Sequence, residues 1–339
     1  MMDLLLIITV VMAFALADRL TRRLMAVSWL GEEWLDHPND RSLHQRPTPR
    51  SGGIAIVSSV ALVGMVVGFV YLQQQMLYLL GGASLLVLVA YWDDRGHVAA
   101  RYRLLAQLMA ASILVSGGVP EAISVFGTVW RPTFFLNVVL FILFVVWMTN
   151  LYNFRDGMDG FAGGMAVFGF GTLAILGTGH HAPGYVLFNL GVAAAAGGFL
   201  RSNFPPAGIF MGDIGSTALG FLAAGSIIWG LEEGIFSPLA GTMPFAVFIV
   251  DATVTLMQRM WRRERVWEAH RSHYYQRLVR LGWSHRRVVR LEYGLMGLSC
   301  TAALTFDRLG AQGQIGLAVG LGAVFAFAMW GVSRYEGST

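Results

Sequence analysis

The sequence predicts an all-α, polytopic integral membrane protein built as one membrane domain over residues 1–339. Three observations predict it. Apolar residues make up 55% of the chain and charged residues only 13%, about half the charged share of a soluble domain. The apolar residues gather into eleven runs, each near the ~20 residues that a helix needs to cross the hydrocarbon core. All 24 basic residues are arginine, and nearly all sit in alternate loops. The 41 glycines follow no three-residue period, which excludes a collagen-like chain. A single cysteine, Cys300, excludes a disulfide scaffold and a cysteine-ligated metal. The absence of lysine excludes Schiff-base and P-loop chemistry.

In order, the runs cover residues 2–17, 53–72, 76–92, 104–119, 134–151, 161–178, 184–200, 214–231, 235–257, 289–306 and 315–332. Each is read as a helix, because a lone strand in lipid leaves its backbone polar groups unsatisfied. Runs 104–119 and 289–306 are the weakest, and losing either would reverse the parity of everything after it. The first run ends in Ala15-Leu16-Ala17, which resembles a signal-peptide cleavage site. No positive charge precedes it, however, and Arg19, Arg22 and Arg23 follow it, so it is read as a retained span. With the N-terminus outside, every arginine except Arg131 and Arg308 falls after an odd-numbered span or in the C-terminus. Arginine concentrates in cytoplasmic loops, so the expected topology is N-terminus outside and C-terminus cytoplasmic. Topology thus accounts for the basic balance, and no nucleic-acid partner is expected.

The same face collects the polar side chains, and acids near lipid are costly unless they are used. Asp93-Asp94 directly follows the third span. Adjacent carboxylates repel unless a proton or cation relieves them, which suits Mg²⁺ or a general base; a solvated helix end paired to Arg95 and Arg101 is the plainer reading. After the fifth span, Asn153, Asp156 and Asp159 stand three apart and would share one side of a helix or tight turn. Gly157 and Gly160 beside them admit close backbone approach, as a diphosphate–metal platform requires. An Asx-rich turn explains the glycines but not the spacing. After the seventh span, Pro205 and Pro206 fix a non-helical approach to Asp213. Asp213 stands where the eighth helix begins, the place of an N-cap, and a cap and a metal ligand are compatible. Phe210 is either packing or a platform on which a base stacks.

The loop after the ninth span carries ten arginines together with His270, His273 and His285. Residues 270–277 are dense in donors for phosphate oxygens, although adsorption on anionic lipid accounts for most of the arginines. His270 and His273 lack an adjacent third ligand for zinc. The loop after the first span adds His37, His44, Arg46 and a Pro47-Thr48-Pro49 turn before Gly52-Gly53. Asp251, low in the ninth span, is read either as a functional intramembrane acid or as a residue reaching cytoplasmic water. Acids for Mg²⁺ and cations for phosphate on one face read as phosphoryl transfer between a lipid head group and a soluble nucleotide.

These residues resemble the polyprenyl-phosphate N-acetylhexosamine-1-phosphate transferase family, of glycosyltransferase family 4 type. The resemblance runs from about Asp36 to Arg277 and rests on PNDRSLHQRPTPRSGG, the Asp93-Asp94 pair, NFRDGMDGFAGG and FPPAGIFMGDIGS. Where some members carry His-x-His-His in the last large loop, this chain reads HRSH. That variant is similar to the O-antigen-initiating subgroup, several members of which use UDP-linked N-acetylated 6-deoxyhexoses. The resemblance implies transfer of a HexNAc-1-phosphate from a UDP-sugar to undecaprenyl phosphate, releasing UMP, as the first lipid-linked step of a cell-surface polysaccharide. It implies Mg²⁺, or Mn²⁺ in its place, held by Asp213 with Asp93 and Asp94. Asp93 would deprotonate or orient the lipid phosphate with the help of Asp94. Asp156, Asp159, His270 and His273 would share the catalytic work, and Arg46, Asn153, Asn203, Phe210 and Arg271 would bind substrate. The catalytic loops would be about 36–53, 93–103, 152–160, 201–213 and 258–290. The implied setting is the bacterial inner (cytoplasmic) membrane with the site facing the cytoplasm; partners are UDP-N-acetylhexosamine, undecaprenyl phosphate and the bilayer, and a homodimer is compatible. An intramembrane Mg²⁺-dependent prenyltransferase is the alternative, and it would not need the His/Arg loop.

Overall fold

A computed structural model of the chain describes residues 2–26, 34–38, 47–96, 98–264 and 271–337. Helices dominate: α1 Met2–Ala26, α2 Gly52–Val70, α3 Gln75–Arg95, α4 Ala100–Val115, α5 Phe134–Phe154, α6 Phe161–Gly177, α7 Pro183–Asn203 and α8 Gly212–Glu232. They continue as α9 Pro238–Thr242, α10 Ala246–Trp261, α11 Tyr274–Arg280, α12 His285–Phe306 and α13 Ala311–Glu336. Two short antiparallel pairs accompany them, β1 Leu35–Asp36 with β2 Thr48–Pro49 and β3 Ile123–Val125 with β4 Thr128–Trp130. Every predicted run falls on a helix, and among the described residues eight helical segments are long and apolar enough to cross a membrane. The two weak runs lie outside those eight, as does α6, which is apolar but only 17 residues long. α4 has 16 residues, roughly 24 Å of helix, and gives way to Gly117-Gly118-Val119-Pro120. α12 opens on the polar turn His285-Arg286-Arg287. The ninth run is broken, α9 and α10 being joined by a 3₁₀ turn over Met243–Phe245, where Pro244 cannot donate to the helical ladder.

α8 is the central helix, buried along almost its whole length from Ile214 to Gly230. It packs against α3 and α5 and also meets α2, α6 and α7. Its sequence alternates glycine, alanine, serine and threonine with larger residues, and small residues let neighbouring backbones close in. At Gly220 a Cβ would lie 2.8 Å from the Met148 carbonyl oxygen of α5. Outward side chains such as Leu4, Ile7 and Val11 on α1 and Val319 and Phe327 on α13 are exposed, as lipid-facing residues must be. The helix ends alternate, so the C-terminal ends of α3, α5 and α7 meet the N-terminal ends of α2, α8 and α12 at one face of the bundle. Hydrogen bonds among those ends, described next, bind that face together.

Candidate active site

The site is assembled around the first turn of α8. Asp213 stands at its second position, and Asn153 at the end of α5 reaches across to it. The Asn153 amide donates to Asp213 Oδ1 at 3.0 Å, Ser216 Oγ at 3.2 Å and Thr217 Oγ1 at 3.1 Å. Asp93, at the end of α3, lies within hydrogen-bonding reach of Asp213. Two carboxyls share such a contact only with a proton or a cation between them. Asp93 is held by the Val98 N–H at 2.8 Å and by Arg103 at 3.1 Å.

Asp94 faces elsewhere. Its two oxygens accept from the backbone N–H groups of Asp213 at 3.0 Å and Ile214 at 3.1 Å, so α3 caps α8 in trans. The expected capping role of Asp213 is therefore corrected: α8 starts at Gly212, the preceding Met211 supplies no side-chain cap, and the orphan N–H groups are met by Asp94. The chain enters the helix through Gly212 at φ +71°, where a side chain would collide with the Arg50 carbonyl. Arg50 in turn donates to the Asp94 carbonyl oxygen. Gly52 and Gly53 continue the same seam, their N–H groups donating to the carbonyls of Phe210 at 3.0 Å and Met211 at 2.7 Å.

The expected shared side of Asn153, Asp156 and Asp159 is also corrected, because α5 ends at Phe154 and the two aspartates lie in the loop beyond it. Asp156 belongs to the acidic group: burial and the charges of Asp213 and Asp94 push its carboxyl up to about 8. Asp159 turns away, accepting from the Ala207 N–H at 3.1 Å and pairing with His285 at 3.2 Å. Asn203, 5% exposed, accepts from the Gly160 N–H and donates to the Ile209 carbonyl. Asp159 and Asn203 thus tie loops together. Phe210 is half-buried, its N–H donating to the Pro49 carbonyl. Arg271 is half-buried and His273 buried in the approach to α11. Burial holds the His273 imidazole below its usual value, against the pull of Asp251. Arg46 and His270 lie outside the described residues.

Asp93, Arg103, Asn153, Asp213 and Thr217 share a cavity of about 240 Å³ with the apolar side chains Leu86, Val89, Leu104 and Ala106. Gln107 and Asn150, which sequence reasoning passed over, also line it and exchange amide hydrogen bonds of 3.1 and 2.6 Å. Their signal was available: two amides within apolar runs. The donor set suits a hard cation, which takes one or two protein carboxylates and completes its shell with water and phosphate oxygens. No group of three His, Cys, Asp or Glu gathers as a metal site among the described residues, so Asp93 and Asp213 would be the protein's share.

Comparison with known proteins identifies the family. Residues 76–231 match the family described as "Glycosyl transferase family 4". The chain is similar to the "Probable undecaprenyl-phosphate N-acetylglucosaminyl 1-phosphate transferase" of Bacillus subtilis, 31% identical over 268 residues, 76% of this chain and 73% of that protein. It is equally similar to the "Decaprenyl-phosphate N-acetylglucosaminephosphotransferase" of Mycolicibacterium smegmatis, 31% identical over 332 residues, 86% and 80% of the two chains. A "Phospho-N-acetylmuramoyl-pentapeptide-transferase" of Shouchella clausii is 29% identical over 275 residues, 75% and 82%. These likenesses favour the transferase reading over the prenyltransferase. The chain belongs to the polyprenyl-phosphate N-acetylhexosamine-1-phosphate transferases of glycosyl transferase family 4.

Proposed function

We propose that the chain transfers an N-acetylhexosamine-1-phosphate from a UDP-sugar to undecaprenyl phosphate, releasing UMP and starting a cell-surface polysaccharide at the cytoplasmic face of a bacterial inner membrane. The observation that carries this reading is the cavity in which the Asp93 and Asp213 carboxylates meet apolar walls. A charged head group and the start of an isoprenoid tail need that combination. A phosphate oxygen of the lipid attacks the β-phosphorus of the donor, forming one P–O bond as the bond to the UMP oxygen breaks. Asp93, oriented by Arg103, orients the lipid phosphate and takes its proton where the phosphate arrives protonated. Asp213, steered by Asn153, would hold Mg²⁺ together with Asp93. When bound, that ion neutralises charge developing on the phosphates. Asp94 acts from behind, by keeping the α8 N-terminus against α3. Arg271 and His273 would serve the phosphates of the donor. The chain offers neither lysine nor an accessible cysteine as a nucleophile, which supports one-step transfer.

The test is UMP release by purified protein with Mg²⁺, undecaprenyl phosphate and a panel of UDP-HexNAc donors, with the lipid omitted as control. Lipid-dependent UMP from one donor is expected and names the sugar. Its absence with every donor, in folded protein, would sink the reading.

A further inference from the structure

Asp251 lies on α10, 5% exposed, and gathers donors from three parts of the chain. Arg155 donates to its Oδ2. Its Oδ1 accepts from Thr255 Oγ1 at 2.9 Å and lies 3.3 Å from His273 Nδ1. The Tyr274 N–H sits 3.3 and 3.2 Å from the two oxygens. Arg155 is itself wholly buried, with its guanidinium 4.7, 5.4 and 4.5 Å from the ring centres of Phe161, Phe248 and Tyr275. Those rings come from α6, α10 and α11. Its Nε and second terminal nitrogen have no hydrogen-bond partner among the described residues, so Asp251 is what anchors it. Arg155 stands between Asn153, whose amide holds Asp213, and Asp156. On the other flank, the Tyr275 hydroxyl abuts Gly157 of the loop after α5.

Resting on the proposed transfer, we propose that Asp251 is a positioning residue for it: one carboxylate that sets the spacing between the Asn153–Asp156 loop and the Arg271–His273 segment. Stability alone is a poor reason for the arrangement. A buried ion pair roughly breaks even against apolar residues of similar volume, whereas a carboxylate with donors from a loop, a helix and a following segment fixes three backbones at once. The consequence is expected to be asymmetric, because Asp156, Arg271 and His273 stand outside the cavity that α3, α4, α5 and α8 line, whereas Asp93 and Arg103 stand inside it.

The experiment is steady-state UMP release by Asp251→Asn, with rates expressed per folded molecule and KM measured for each substrate separately. kcat/KM for the UDP-sugar is expected to fall about 10- to 100-fold, in the range for losing an orienting partner, while KM for undecaprenyl phosphate stays at the wild-type value. Loss of folded protein with unchanged constants in the remainder overturns the inference, and so does an equal rise in both KM values. Should that variant not fold, Thr255→Val removes one donor and leaves the ion pair. A rise of about two- to fivefold in donor KM is then expected, and an unchanged donor KM overturns the inference. Wild-type protein that releases no lipid-dependent UMP overturns the functional reading and this one with it; active wild type with an unaltered Asp251→Asn overturns this one alone.

Discussion

Successive side chains on a helix point about 100° apart, so Asp93 and Asp94 look out on different surroundings. Asp93 faces Arg103 and Asp213; Asp94 faces the exposed N–H groups of α8. The two should therefore fail differently when changed. Asp94→Ala removes a helix cap and should cost about 1–2 kcal/mol, read as a lower Tm in detergent. Asp213→Asn should keep the wild-type Tm and lose turnover, and near-normal activity in that variant would refute its metal assignment. His273 gives a pH signature. Its folded-state value lies below the ordinary 6.5, so the unfolded chain takes up the proton first as pH falls. Stability present above about 6.5 is then lost progressively below it. Asp156, its carboxyl pushed up to about 8, acts in the opposite direction in both proteins, so thermal unfolding from pH 7.5 to 5 should show the His273 effect as a fall in wild-type stability relative to His273→Gln.

Among the elements, α2 and α8 approach closely at their N-terminal ends. A Cβ at Gly53 would stand 2.6 Å from Gly215 Cα and 2.7 Å from the Met211 carbonyl, both backbone atoms that cannot swing aside. Gly53→Ala should therefore push the two helix starts apart, destabilise by about 1–3 kcal/mol, and lower kcat by moving Asp213. Gly320→Ala in α13, with open space around the position, should leave both Tm and kcat unchanged. This scale also marks where the sequence stops being legible. The spans were readable because lipid demands unbroken apolar runs, and the acidic ends because charges interrupt them. Partnership was not readable. Nothing in local spacing says that Asp94 will cap a helix 119 residues away, or that Asp159 and Asn203 will knit loops while Asp156 keeps company with Asp213. The three-residue spacing of Asn153, Asp156 and Asp159 did not show that Asp159 would turn to Ala207 and His285 instead of sharing a side with the other two. Asp251 was singled out but its partner was not: Arg155 is the largest omission, since a buried arginine in an arginine-rich chain looks like any other cytoplasmic charge.

At the scale of the molecule, the alternating helix ends make one face polar and chemically equipped, and the distribution of arginines leads us to propose that this face is the cytoplasmic one. Cysteine labelling tests the assignment directly. The native Cys300 is buried, so introduced thiols report against a quiet background. His180→Cys, between α6 and α7, should react with an impermeant maleimide in intact cells, and Gly282→Cys, between α11 and α12, only after permeabilisation. The reverse pattern would invert the topology and strand the nucleotide site on the wrong side. The reaction itself is best followed through the atom said to move. With a UDP-sugar labelled at the β-phosphorus, wild-type protein should carry the label into the undecaprenyl lipid and release unlabelled UMP, and Asp213→Asn should carry none. Label appearing in soluble UDP, or undiminished in the lipid with Asp213→Asn, would contradict sugar-phosphate transfer at this site.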